Sequence, residues 1–217
     1  MNGSRYYGED LPINTWYMKR FAGLSEDGLS LWYYTDKETN EEKTTTTYST
    51  GDFYLCGDPN PDLYGGFGTS ITFHGFDLST QFSYLVGGLT YDYGYAGMMG
   101  NPTATSVGNR WHKDVLKAWS PENPSSTIPR WYFNDLNTTG SSDRFLIDGS
   151  YLNLQNIQVG YTLPDSWTSH LKIKNLRLYF VCDNVYYWSK RKGLDPRRSI
   201  SGVGTSGKIA PFRTYSG

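Results

Sequence analysis

The clearest pattern in the chain is an alternation of apolar and polar positions. From Gly66 to His74 the residues Phe67, Ile71 and Phe73, with Thr69 in the same phase, alternate with Gly68, Ser70, Thr72 and His74. After Gly75 the alternation resumes, with Phe76, Leu78, Thr80, Phe82, Tyr84 and Val86 on one face and Asp77, Ser79, Gln81 and Ser83 on the other. Period two held over two runs of about ten residues predicts two antiparallel strands, separated by the single Gly75 in a very tight turn. Strand length carries information, because soluble strands average about five or six residues and tilted membrane-spanning strands need about nine to eleven. Tyr151–Leu163 predicts a third long strand. Its apolar phase switches from Leu152 and Leu154 to Ile157, Val159 and Tyr161, so a bulge is expected near Gln155 and Asn156. Leu176–Trp188 predicts a fourth strand, and Ile209–Gly217 the start of a fifth.

The connections differ in length. Residues 1–65 are the least regular part, with a hairpin predicted from Thr15–Leu24 and Leu29–Tyr34 around Ser25, Glu26, Asp27 and Gly28, and a rigid turn at Gly57–Pro61. Residues 87–149 form a very long connection in which Asn109–Trp119 predicts a short amphipathic helix. A moderate turn, Pro164–Asn175, and another loop, Ser189–Lys208, follow. Outer-membrane barrels show this asymmetry of short periplasmic turns and long extracellular loops. With Gly75 periplasmic, the loops 87–149 and 189–208 are extracellular. Phe76, Leu78 and Phe82 then face lipid, and Asp77, Ser79 and Gln81 face the lumen. The expected fold is all-β: an antiparallel transmembrane β-barrel, here only in part, since the smallest bacterial barrels have about eight strands. On this reading residues 1–65 are an irregular hairpin and loop segment, and 66–217 hold the C-terminal barrel strands.

Composition agrees. Aromatic residues make up 17% of the 217, with 24 glycines among them to serve turns and loops, a mixture suited to half-buried pleated surfaces. Formal net charge is −1, which gives no global drive toward nucleic acid. Mean hydropathy is −0.57 and no apolar run approaches the roughly 18 residues of a spanning helix, which excludes helical membrane proteins but not barrels. Cys56 and Cys182 lie far apart and define neither a disulfide framework nor a metal site. The N-terminus shows no secretory signal pattern.

Several stretches carry a family likeness. GDPNPDLYGGFGTSITFHGFDLS at Gly57–Ser79 resembles the G-x-P-x-P…GG…GFDLS region of SusC-like (SusC/RagA) TonB-dependent outer-membrane transporters. NRWHKDVLKAWSPENPSSTIPR at Asn109–Arg130 resembles that family's N-R-W…P-E-N-P…P-R loop, and DRFLIDGSYLNLQNIQVGYTLP at Asp143–Pro164 its D-R-F…DGSYLRLKNVTLGYTLP strand. Asp183-Asn184-Val185, Gly193-Leu194-Asp195-Pro196 and APFRTY at Ala210–Tyr215 continue the order. Arg197 stands where the family usually has Glu. The resemblance implies a C-terminal portion of a plugged barrel of about 22 strands. It also implies that the plug domain, the TonB-contacting part and the final aromatic of the last strand lie outside the sequence. The implied work is import across the outer membrane of a Gram-negative-type bacterium. The implied partners are a SusD-like lipoprotein lid, the TonB complex, outer-membrane lipid, and an oligosaccharide or peptide cargo.

Tyr91, Tyr93, Tyr95, Trp111 and Trp119 are the candidate substrate contacts, since aromatic rings offer flat apolar faces with polar handles. Packing within the loop, or against the lid, is the alternative for them. Tyr186, Tyr187 and Trp188 end a strand where an aromatic girdle belongs. Lys190, Arg191, Lys192, Arg197 and Arg198 form a local basic cluster, suited to lipopolysaccharide phosphates or to a solvated loop. His74, His112 and His170 are isolated from other metal-ligating residues, so neither metal nor cofactor is expected. No nucleophile elbow, phosphate loop or paired carboxylates point to an enzyme. A secreted β-sandwich that binds carbohydrate is the competing class. A sandwich buries the Phe76, Leu78 and Phe82 face against a second sheet, whereas a barrel leaves it to lipid.

Overall fold

A computed structural model describes residues 5–103, 111–135, 137–138, 140–169 and 173–190. They divide into two compact units, one within residues 5–60 and 89–147 and the other within 61–88 and 148–190. The long connection 87–149 thus packs mainly with the N-terminal segment. The predicted fifth strand lies outside the described residues, as does all of the loop 189–208 beyond Lys190.

The second unit is one antiparallel sheet of β7 (Leu63–Phe73), β8 (Phe76–Val86), β11 (Tyr151–Thr162) and β12 (Arg177–Ser189), in the order β12-β11-β8-β7. The strands run 11, 11, 12 and 13 residues. The turn between β7 and β8 takes two residues, not Gly75 alone, because Phe73 pairs with Phe76. His74 (φ 47°) and Gly75 (φ 85°) both sit at positive φ, as required when a turn must follow the right-handed twist of its strands. The bulge falls where the phase switch put it. Leu154 pairs with Phe82 and Asn156 with Gln81, which leaves Gln155 as the extra residue and keeps both apolar sets on one face. A short helix, α2 (Asp165–Thr168), begins the connection from β11 to β12.

The first unit is built from short strands rather than an irregular loop. β1 (Arg5–Tyr6), β2 (Thr15–Lys19) and β6 (Phe53–Leu55) form one sheet, and β3 (Phe21–Leu24), β4 (Ser30–Thr35) and β5 (Glu42–Thr45) another. The strand predicted over Thr15–Leu24 breaks at Arg20, since the Phe21 N–H is drawn off to the Asp143 carboxylate at 2.8 Å. The hairpin tip is as expected, with Gly28 at φ 72°. Alternation along β2 turns Trp16 and Met18 inward, each 2% exposed, to pack with Tyr91, Met99 and Phe145. Burying side chains of this size contributes about 1.5–3 kcal/mol each. Lys19 is buried as well, and its ammonium is satisfied by the carbonyls of Tyr48, Ser49 and Gly51 at 2.5, 3.1 and 2.6 Å. Between residues 89 and 148 run β9 (Leu89–Tyr91), the helix α1 (Tyr93–Met98) and β10 (Leu146–Asp148), which pairs with β9. Of the helix predicted over Asn109–Trp119, Asn109 and Arg110 lie outside the described residues and the remainder holds a 3-10 helix at Lys113–Lys117. No helix among the described residues is long and apolar enough to cross a membrane, which has no bearing on strands.

Candidate functional site

The four-stranded sheet has two unlike faces. Register places Phe67, Ile71, Phe73, Phe76, Leu78, Phe82, Leu154, Ile157, Val159, Leu178, Phe180 and Trp188 on one of them. Rings meet there across strands, Phe67 on Phe82 at 4.9 Å and Phe76 on Tyr161 at 4.4 Å. Even so Phe76 is 57% exposed and Phe180 67%. Leu78 and Phe82 are half-buried, by their strand neighbours.

The opposite face is mostly polar, with Ser70, Thr72, Asp77, Ser79, Gln81, Ser83, Asn153, Asn156, Gln158, Arg177 and Asp183, but also carries Tyr64, Leu85, Tyr179, Val181 and Tyr187. Arg177 grips Asp77 in a bidentate pair, Nε to Oδ1 at 3.0 Å and Nη2 to Oδ2 at 2.5 Å, reaching across the intervening β11. Gly160 makes that reach possible, for a Cβ there would lie 2.5 Å from Asp77 Oδ1 and 2.6 Å from Arg177 Nη2. Asn156 Nδ2 donates to Asp183 Oδ1 at 2.7 Å. Ser79 pairs with Ser70 and Gln158, and Gln81 borders a shallow groove of about 440 Å³ with Gly66, Gly68, Ser83 and the bulge residue Gln155.

The loop aromatics separate into buried and displayed groups. Tyr91 is 5% exposed, with its ring against Tyr93 at 4.6 Å, Trp16 at 6.0 Å and Phe145 at 6.0 Å. Burial pushes its hydroxyl pKa up to about 12. With no face left for a ligand, Tyr91 is a core residue, which corrects the expectation of substrate contact. Tyr93 opens α1 and is exposed. Tyr95 is half-buried, its hydroxyl donating to Asp114 Oδ2 at 3.1 Å and its ring edge-on to His112 at 4.9 Å. Burial works against the Asp114 charge, yet the hydrogen bond from Tyr95 and the nearby His112 and Lys117 hold its pKa below the usual carboxylate range. Trp119 lies over the glycine at the β3–β4 hairpin tip, where a Cβ on Gly28 would overlap its indole.

Trp111 is exposed, and its indole donates to the Gly100 carbonyl at 3.1 Å. Trp131, unforeseen from the sequence, donates to that same carbonyl at 3.2 Å and packs edge-on to Trp111 at 5.4 Å. Tyr132 and Phe133 follow, 64% and 60% exposed. The signal was a run of three aromatics directly after Arg130. These displayed rings are the first unit's candidate contact surface. Tyr186 and Trp188 contact at 4.9 Å and stand exposed at the end of β12. Lys190 reaches Asp148 at 2.6 Å, while Arg191, Lys192, Arg197 and Arg198 lie outside the described residues, as does His170. No group of three or more potential metal ligands occurs among the described residues. Cys56 and Cys182 are free thiols.

Comparison with known proteins finds relatives over most of the chain. The chain is 31% identical over 97% of its length to TonB-dependent receptor P3 of Formosa agariphila, and 28% identical over 79% to TonB-dependent receptor P26 of the same organism. It is 27% identical over 69% to the TonB-dependent receptor SusC of Bacteroides thetaiotaomicron. It spans about a fifth of the length of P3 (20%) and less of P26 and SusC (17% and 14%). Among solved structures it superposes on the RagAB peptide transporter with a TM-score of 0.72 and 26% identity, covering 90% of this chain and 21% of that one. No protein-family model matches the chain. The relatives are receptors and transporters, not enzymes. In sequence and in its all-β, barrel-type fold this chain belongs to the SusC/RagA family of TonB-dependent receptors.

Proposed function

We propose that this chain forms wall strands and outer loops of an outer-membrane importer, driven by TonB and capped by a SusD-like lipoprotein. The observation that carries the reading is the two-faced sheet. Its apolar side is exposed in a way water penalises and hydrocarbon does not, and its other side holds ion pairs and amides suited to a wet lumen. The dimensions agree. The eleven residues of β7 span roughly 33 Å at about 3.3 Å per step, which is about 25 Å of height at a tilt of ~40°. Tyr186 and Trp188 then sit at the outer girdle, and the His74-Gly75 turn at the periplasmic rim. Residues 87–149 and 189–208 are outer loops on this reading.

Phe76, Leu78 and Phe82 meet lipid, and Asp77, Ser79 and Gln81 meet the lumen. A β-sandwich module would bury the apolar face, so the exposure of Phe76 speaks against that class. The cargo is an oligosaccharide or a peptide. Displayed rings of Trp111, Trp131, Tyr132 and Phe133 suit sugar faces, and the likeness to RagAB, a peptide transporter, favours the second.

Spin labels test the assignment of faces. Nitroxides placed one at a time at Leu78 and Ser79, in protein reconstituted into lipid vesicles, should relax with dissolved oxygen and with a water-soluble nickel chelate respectively. Equal response of both sites to the chelate would sink the importer reading.

A further inference from the structure

The groove on the polar side of the sheet lies where β7 offers no side chains. Gly66 pairs with Ser83 and Gly68 with Gln81. A Cβ on Gly66 would lie 2.9 Å from the Phe82 carbonyl oxygen, and one on Gly68 2.7 Å from that of Thr80. Both positions therefore stay glycine, and the floor there is peptide backbone. Gln81 and the bulge residue Gln155 line the groove from β8 and β11. Their amides are exposed and take part in no hydrogen bond among the described residues. Ser83, also lining it, accepts a long bond of 3.4 Å from Asn153 Nδ2. Asn153 is 1% exposed, and its Oδ1 is buried without a partner among the described residues. A buried acceptor left so is costly, and a donor supplied by a ligand would relieve it.

No ionisable side chain lines the groove. The charged groups on that face are engaged already, Asp183 with Asn156 and Asp77 with Arg177. Amides and a hydroxyl both donate and accept, so their complement is an uncharged ligand whose groups do the same, as sugar hydroxyls do. An anion would shed its water for a site that returns no cation. Register turns Phe67 and Phe82 to the other face, so no apolar wall receives the side chains of a peptide. Two of these polar residues also depart from the family likeness, whose DGSYLRLKN pattern has Arg and Lys where this chain has Asn153 and Gln155. We propose that the groove is an uncharged subsite on the lumen wall for a hydroxyl-bearing segment of the cargo, with Gln155 setting its tolerance for charge. The proposal rests on the importer reading and adds to it a place on the wall and the polarity of what passes there.

Calorimetry on the detergent-solubilised protein at low salt tests it with three probes: maltotetraose, tetragalacturonate, and tetra-alanine blocked at both ends. Maltotetraose is expected to bind about tenfold or more tighter than either of the others. Gln155→Lys, which puts back a cation of the family pattern, should raise the affinity for tetragalacturonate about tenfold and narrow that preference. No binding of maltotetraose, equal or tighter binding of tetragalacturonate, or a preference undiminished in Gln155→Lys overturns the proposal. Equal or tighter binding of tetra-alanine overturns it too and points to a peptide cargo. If Gln155→Lys fails to fold by near-UV circular dichroism, Gln81→Lys, on the facing wall, takes its place with the same expectation, and an undiminished preference there overturns the proposal. Loss of fold in both variants assigns these glutamines a structural role instead. Failure here with the spin-label pattern at Leu78 and Ser79 intact leaves the importer reading standing.

Discussion

The two units use the same aromatic-rich vocabulary in opposite senses. In the first, Trp16, Tyr91 and Phe145 are enclosed, and a lysine is carried inside with every ammonium proton satisfied by backbone carbonyls. In the second, Phe67, Phe73, Phe76 and Phe180 are displayed, while the charged pair Asp77 and Arg177 lies on the other side of the sheet. A folded unit in water hides apolar area because hydration of that area is unfavourable. On the proposed reading, a sheet that displays it on one face meets hydrocarbon on that side. The contrast teaches that the first unit encloses its large apolar side chains, whereas the second leaves many of its own uncovered on one face.

Core truncation should have the largest effect. Trp16→Ala removes a ring that also donates its indole N–H to the Leu89 carbonyl at 2.9 Å, and is expected to cost about 3–5 kcal/mol. Urea unfolding followed by near-UV circular dichroism reads it, and a cost near zero would mean the first unit has no working core. Next comes the displayed face. Leu78→Arg should cost about 2–4 kcal/mol for protein refolded into vesicles, with Ser79→Arg, one residue along the same strand, costing far less. Equal costs at the two positions would erase the contrast between faces.

Gly160→Val drives a side chain into the Asp77–Arg177 pair and is expected to cost about 1–3 kcal/mol, measured by the same refolding assay. Recovery in Gly160→Val combined with Asp77→Ala would show that the clash is with that pair. The smallest effect concerns Asp148, outside the long strands. The hydrogen bond from Lys190, with those from the Ser150 hydroxyl and N–H, lowers its pKa to about 2. A carboxyl depressed on folding contributes stability above the ordinary carboxylate range, and that contribution is lost as pH falls toward 2. Lys190→Met should move the Asp148 midpoint up toward ordinary values in a carboxyl NMR titration, and a midpoint unmoved would show the contact is not kept in solution.

The β7–β8 ribbon was legible because period two is a local property of a strand, and from Phe76 to Ser83 apolar and polar residues alternate with Thr80 as the one departure. The Gln155 bulge was legible for the same reason, as a break in phase. The turn was half legible, since Gly75 announces positive φ and His74 does not. Tyr91, Tyr93 and Tyr95 misled. Spaced by two among glycines they read alike, yet Tyr91 ends β9 and enters the core, while Tyr93 begins a helix that Asp92 caps by accepting the Tyr95 N–H at 2.9 Å. Gly94 and Gly97 within that helix hid it, since glycine is a poor helix former. Trp131 was missed because nothing local ties it to Trp111.

Long strands with one apolar and one polar face, the place of the bulge, and the likeness to a receptor family were all determined by the sequence, because each depends on neighbours along the chain. Which tyrosine is sealed and which tryptophans share the Gly100 carbonyl were decided only in the tertiary structure. Those outcomes depend on residues brought together from far apart, as when Trp16 meets Leu89 across 73 positions or Phe21 meets Asp143 across 122. No periodicity encodes such meetings.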